Sequence, residues 1–479
     1  MAPSDRIGPV TRRVPIRWRI FGFLFAIGFL EYLQQRGLTI AAERMMPELH
    51  FTQLQIGWIE QSFVIGYALF TFLGSIFCQR WGARWSFLGI GLVSVVSIAA
   101  TAVAPEVLTG SALFVVLFAM QFLLGAGQGP TFPVSTGVFE TWFPARHWAL
   151  VQGLQTMGLG LGGALAPPFI AALMTTIGWQ KALWWTALPA IPLFLWWGWY
   201  GRNNPREHRS VSSQELAEVP QAAVEPTNGR VTLADMARIL RDRHVLMLAA
   251  AYFTMNYVYY LLGNWCFLYL IQQRHFSVLE SGWLAMAPPI AAGIGAGVGG
   301  VLSSTLFTRI GCRRGLQLTP VVALPVAGLL LLLAVHAAGA LIAVGLLTLC
   351  YFVVELTEGS FWATAMTIGR DNTMVVGGVM NLGGSLGGVV GIPIVAYLSG
   401  HGAWNTAFLV GACFALVSAI IWVFIDPSHS VRQECIEPGP GTGRAVAAVH
   451  QAALSRLSFT SRHWRAGWFR HRTSRPGRP

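Results

Sequence analysis

The chain has 479 residues, 54% of them hydrophobic and only 11% charged, where an ordinary soluble domain carries about 25% charged residues. A soluble protein of this length would need the charged shells of two or three domains, which this composition cannot supply, and the apolar residues arrive in runs of the roughly 20 that a membrane-spanning helix requires. The formal net charge of +12 invites a nucleic-acid reading, but the placement of the charge argues against it.

In chain order, Arg12, Arg13, Arg17 and Arg19 precede the first apolar run, and no short apolar region with a small-residue cleavage site marks a removable signal. Spans are expected near 20–41, 54–78, 86–104, 111–139, 149–176 and 182–200. A polar stretch, 201–244, follows and is expected to be poorly ordered. Six more spans are expected near 245–271, 280–308, 316–336, 340–368, 375–399 and 405–425. The resulting fold class is an all-α membrane protein of twelve transmembrane helices in two six-helix bundles, 20–200 and 245–425. Flanking them are an N-terminal segment, 1–19, and a basic tail, 426–479, expected to be disordered; Arg444 to Leu457 in that tail reads as solvated chain rather than an interfacial helix.

Arg80 and Arg84 lie between the second and third spans, Arg309, Arg313 and Arg314 between the eighth and ninth, and the tail is rich in Arg. These are alternate loops, the pattern of Lys and Arg excess on the cytoplasmic side. Both termini are therefore expected in the cytoplasm, with the protein in the cell (inner) membrane.

The two bundles resemble one another. His50, Phe51, Thr52, Leu54, Gly57 and Trp58 open the second span as His275, Phe276, Ser277, Leu279, Gly282 and Trp283 open the eighth. The same offset brings Gly158, Gly162, Gly163, Pro168 and Trp179 onto Gly383, Gly387, Gly388, Pro393 and Trp404. Two distant segments sharing one offset indicate a duplication in parallel orientation.

Several chemistries find no support. The six cysteines are scattered without metal-like spacing, and the histidines form no cluster, so neither a metal, a cofactor nor an enzyme is expected. The glycine clusters 125–129, 158–163 and 293–300 lie inside apolar runs, where the strand-turn-helix of a nucleotide loop cannot form. Small residues at that spacing let helices approach closely. No signalling domain is evident in the loop or tail, which counts against a solute sensor.

Polar residues within spans are few and mark candidate sites. In the first span these are Glu31, Tyr32, Gln34, Gln35 and Arg36. Arg36 either anchors a substrate carboxylate, which a guanidinium binds through two parallel hydrogen bonds, or neutralises Glu31. Asn256, Tyr260 and Asn264 in the seventh span are spaced by four and share one helix face, which suits a polar solute. Glu355 and Glu358 in the tenth lie one turn apart; they carry coupling protons or hydrogen-bond a neighbouring helix.

These residues carry a family likeness. From Trp18 to Pro427 the chain resembles the major facilitator superfamily, and within it the anion:cation symporter family of sugar-acid and phthalate-type permeases. The matching stretches are YLQQRGLTIAA, LLGAGQGPTFP, TWFPARHWALVQG, GLGLGGALAPP and GVMNLGGSLGGVVGIP. The family usually has Asp-Arg where this chain has Gln35 and Arg36, and Arg then Glu in the fourth helix where Gln121 and Gln128 stand. Its loop after the second span usually reads Asp-Arg-x-Gly-x-Arg; here Gln79 replaces the acid before Arg80, Gly82 and Arg84. Glutamine accepts hydrogen bonds but holds no titrating proton, so any coupling moves to Glu31, Glu355 or Glu358.

The resemblance implies a monomeric alternating-access transporter whose substrate, a small organic anion such as a sugar acid, binds between the halves, with or without a coupled proton or other ion. A neutral polar solute is the alternative. The expected binding residues are Arg36, Tyr32, Gln35, Gln128, Asn256, Tyr260, Asn264 and Asn381, and Arg80 and Arg84 are expected to hold the cytoplasmic end closed.

Overall fold

The computed structural model describes residues 15–219, 232–274, 276, 284 and 286–431. The expectations for 1–14, for the tail from 432 and for most of the 275–283 repeat match fall outside these residues. Described secondary structure is helical throughout.

Helix α1, Ile16–Leu49, is the first span. Helix α2, Gln53–Val107, holds the second and third, opening on a capping box in which Thr52 and Gln55 satisfy each other's backbone. It turns back at Gly82, whose φ of 77° a residue with a Cβ adopts only under strain. The equivalent turn between the eighth and ninth spans uses Gly311, at φ 87°. The fourth span is α3, Gly110–Gln128, and α4, Thr131–Trp142, interrupted at Gly129 and Pro130. The fifth is α5, Trp148–Ile177, and the sixth is α6, Trp179–Ala187, with α7, Ala190–Tyr200. After the short α8, Ser213–Glu218, and α9, Leu233–Arg241, come α10, Arg243–Arg274, α11, Ala287–Ile310, and α12, Cys312–His336. The tenth span is split between α13, Ala340–Glu355, and α14, Glu358–Gly369; α15, Thr373–Gly400, and α16, Trp404–Phe424, complete the second half.

Eight helical stretches among the described residues are long and apolar enough to cross a membrane. Dividing the double ones at Gly82 and between Gly369 and Thr373, and adding the more polar α1 and the broken α6–α7, gives twelve passes. The breaks in the fourth, sixth and tenth spans escape a reading by apolar runs, because a one- or two-residue interruption leaves the run intact.

Within a membrane there is little hydrophobic drive between helices, so close van der Waals packing and polar contacts hold them. The glycines serve that purpose. A Cβ at Gly158 would lie 2.9 Å from the Phe25 carbonyl, and one at Gly162 would meet that of Phe29, so α5 rides directly on α1. The duplicated glycines do the same: Gly383 and Gly387 of α15 face the Ala249 and Phe253 carbonyls of α10. The self-similarity read in the sequence is thus one packing solution used twice. Ser62 donates to the Phe118 carbonyl (2.9 Å) and Thr71 to that of Gly129 (3.0 Å), contacts worth about 0.6 kcal/mol each in membrane helices.

The 201–244 stretch corrects the expectation of a poorly ordered loop over its described part. The Glu215 carboxylate of α8 accepts the Ile16 and Arg17 backbone N–H groups, at 3.2 and 2.8 Å, and so caps the start of α1. Arg17 donates to Glu218 at 2.6 Å, an interaction that holds the Glu218 carboxyl below the ordinary carboxylate range. The signal was present in the sequence, since Ser212 and Glu215 have capping spacing, but the partner helix nearly 200 residues earlier was not.

Candidate functional site

The halves meet along α5 against α11 and α2 against α15. At the end where α1 begins, the basic end, these pairs are closed. A Cβ at Gly300 would lie 2.7 Å from the Ala149 carbonyl, and one at Gly153 would lie 2.9 Å from the Gly300 Cα. Ser304 accepts the Leu150 N–H at 3.0 Å. Gln79 spans the halves twice, donating to the Asp371 carbonyl (2.8 Å) and accepting the Met374 N–H (3.3 Å).

Away from that end the halves part around a cavity of about 540 Å³. Its lining runs from Phe132 and Trp362 at the floor up to Gly57, Gln61 and Leu268, near the far ends of α2 and α10. Every binding and coupling residue expected from sequence lines it: Glu31, Tyr32, Gln35, Arg36, Gln128, Asn256, Tyr260, Asn264, Glu355, Glu358 and Asn381. The four-residue spacing in α10 does present one face, although Asn256 spends a donor on the Tyr252 carbonyl of its own helix (2.9 Å).

The helix breaks shape the first-span side. The interruption at Gly129 and Pro130 sets Thr131 at the start of α4, where its hydroxyl donates to Glu31 at 2.6 Å. Gln128, just before the break, donates to Gln34 at 3.0 Å, and Gln34 donates to the Thr186 carbonyl at 3.1 Å. Glu31 is therefore engaged by a hydroxyl and not by Arg36. Among the described residues Arg36 has no ion pair within 4.0 Å; its guanidinium lies 6.0 Å from the Tyr32 ring centre, a cation–π distance.

Two polar bonds cross between halves inside the cavity. The Tyr32 and Tyr259 hydroxyls are 2.9 Å apart, and Asn381 donates to the Tyr67 hydroxyl at 3.3 Å. Glu358 accepts from the Tyr252 hydroxyl (2.7 Å) and the Trp362 indole (2.9 Å). The break at Leu356 and Thr357 separates Glu355 from Glu358, so each acid ends or begins a helix rather than sharing one continuous turn.

Sequence reasoning passed over Glu60, which lies within electrostatic reach of Arg36, and the part of the wall formed by Tyr67, Tyr252, Tyr351 and Trp362. A carboxylate beside a glutamine at the head of an apolar run, Glu60 and Gln61, was the available signal. Arg84 does not bridge the halves: it donates to the Gly198 carbonyl at 2.8 and 2.6 Å, closing the end of α7 in its own half. A Cβ at Gly82 would crowd Asn203 at 2.6 Å, again within that half, and Arg80 makes no ion pair within 4.0 Å among the described residues.

Comparison with known proteins agrees with this architecture. Residues 24–377 match the model of the Major Facilitator Superfamily. The chain is 27% identical over 425 residues to a probable sulfoacetate transporter, SauU, of Cupriavidus necator, covering 88% of this chain and 96% of that one. It is also 27% identical over 415 residues to the hexuronate transporter of Bacillus subtilis, covering 85% and 94%. Among solved structures, the E. coli fucose:proton symporter FucP superposes with a TM-score of 0.64 at 15% identity, over 86% of this chain and 99% of that one. The family match spans well over half of the chain, and with the two six-helix halves described above the chain belongs to the major facilitator superfamily of membrane transporters.

Proposed function

We propose that this protein carries a small organic anion across the cell membrane by alternating access, with the basic end in the cytoplasm and the cavity open to the outside. The observation that carries the reading is Arg36: a cation without an ion pair among the described residues, half-buried in the wall of the cavity between the halves. Such a guanidinium carries five N–H donors, and a carboxylate or sulfonate supplies the matching acceptors. The substrates for which the relatives are named, sulfoacetate and hexuronate, both carry such a group. Asn264, Asn381, Tyr260, Gln35 and Gln128 would bind the rest of the molecule, and Glu31, Glu355 and Glu358 remain the candidates for any coupled proton.

The test is ligand-dependent thermal stabilisation of the purified protein, followed by uptake into liposomes. A ligand that binds only the folded state raises apparent stability by mass action. Hexuronates and related acids are expected to stabilise the wild type, and Arg36→Ala is expected to lose roughly ten- to hundredfold in affinity, as charge-assisted hydrogen bonds are worth about 1.5–3 kcal/mol. Equal stabilisation of both proteins would assign Arg36 a structural role and remove the anion reading.

A further inference from the structure

The ionisable groups lining the cavity are unevenly divided. Arg36 is the cation among the described lining residues, against Glu31, Glu60, Glu355 and Glu358. Glu31 has the Thr131 hydroxyl, and Glu60 lies in the field of Arg36. Glu355 and Glu358 come from the opposite half, are 3% and 6% exposed, and have no cation within 4.0 Å among the described residues.

Glu358 is satisfied on one side alone. Tyr252 and Trp362 both donate to its Oε1, while its Oε2 is buried without a partner. A buried acceptor left unpaired costs free energy until a donor reaches it, and this one belongs to a residue lining the cavity. The surrounding wall is aromatic: the Tyr252 and Trp362 ring centres are 6.2 Å apart, edge to face, and Tyr351 lies one turn before Glu355. Ring faces attract a cation and repel an anion.

Arg36 and the acid pair are joined by a run of rings. The Arg36 guanidinium lies 6.0 Å from the Tyr32 centre, the Tyr32 and Tyr259 hydroxyls are 2.9 Å apart, and the Tyr259 and Tyr351 centres are 5.3 Å apart. Tyr32 lies within electrostatic reach of both Arg36 and the two acids. A cation on one half and two carboxylates on the other therefore line a single aromatic cavity.

We infer that the Glu355–Glu358 pair and its rings form a subsite for an ammonium group, so that the preferred substrate is zwitterionic: a carboxylate held by Arg36 with an amine held on the far wall. The inference rests on the carboxylate reading of Arg36. A substrate with both charges links the halves, whereas a dianion would set its second negative group against the two acids.

The experiment compares six-carbon acids on the full-length protein by thermal stabilisation: gluconate, 2-amino-2-deoxygluconate, in which an amine replaces the 2-hydroxyl, and galactarate, a dicarboxylate that also differs from gluconate in configuration at C4. Glucosamine supplies the amine without the acid. The amino acid is expected to bind at least tenfold more tightly than gluconate, and galactarate more weakly than either. Glu358→Gln, which keeps an acceptor for Tyr252 and Trp362, and Glu355→Gln are each expected to erase that tenfold preference, read as the ratio of the two affinities within each variant. Equal binding of gluconate and its amino analogue, tightest binding of galactarate, or equal losses for both acids in the glutamine variants would each overturn the subsite. Stabilisation by glucosamine alone, with no effect of any acid or of Arg36→Ala, would instead overturn the carboxylate reading of Arg36.

Discussion

The two ends of the seam between the halves are built from the same helices by opposite rules. At the basic end, α5 and α11 meet through glycines, and Gly300 leaves no room for a Cβ against the Ala149 carbonyl. At the other end the same seam opens onto tyrosines, amides and charged groups lining a cavity of about 540 Å³. The closed end is held by backbone fit with a few hydrogen bonds, and there the Glu140 side chain of α4 meets Thr373 and Arg370 of the opposite half. The open end sets its polar groups around a space that water or solute can fill, with Glu31, Glu355 and Glu358 buried in its wall. A transporter needs this division, because a seam locked by buried ion pairs would resist reopening.

The comparison breaks most sharply at Gly153, whose Cβ would run into the Ala296 carbonyl and lie 2.9 Å from the Gly300 Cα. Overpacking of this kind costs about 1–3 kcal/mol. Gly153→Leu is expected to shift the seam toward separation at the basic end and to reduce transport at least tenfold, with the folded fraction monitored by size exclusion. Accessibility of a Met374→Cys thiol, buried beside Gly137 in the closed seam, is expected to rise with it.

A smaller effect separates two neighbouring residues. Gln79→Ala removes both cross-half bonds, worth about 1–2 kcal/mol together, and is expected to raise Met374→Cys labelling several-fold. Arg84→Ala removes the bonds to the Gly198 carbonyl within one half. It is expected to lower stability by about 1 kcal/mol, the scale of a helix C-terminal cation, and to leave labelling unchanged. The reverse pattern would return the gating role to the arginine.

The smallest effect concerns pH at the basic end. Asp242 accepts the His244 and Val245 N–H groups at the head of α10, at 2.9 and 3.1 Å, and pairs with His429 at 2.7 Å. Burial pushes its carboxyl up, but the His429 hydrogen bond and the amide N–H groups outweigh that and hold it below the ordinary range. A depressed carboxyl adds stability that is complete above its unfolded value of about 4 and is lost as pH falls through the folded value. Asp242→Asn is expected to lower Tm modestly near neutrality, by the roughly 1 kcal/mol of a helix cap, and to flatten the loss of Tm on acidification. An unchanged acid limb would show that the clasp contributes nothing to this dependence.

Much of this was legible in the residues. Run length and charge placement yielded the twelve spans, because a bilayer imposes one length and one polarity on each crossing. The expense of polar groups in a span marked Arg36, Glu31, Glu355, Glu358 and the α10 asparagines, all of which line the cavity. The shared offset of Gly158 and Gly383 announced a duplication.

Pairings between distant segments were not legible, since periodicity describes one helix at a time. Nothing in the sequence says that Glu31 meets Thr131 rather than Arg36, that Gln79 and not Arg84 reaches the other half, or that Glu215 caps a helix begun at Ile16. Those outcomes depend on which backbones approach closely enough for a side chain a few ångströms long to reach, and that is settled only when the helices pack.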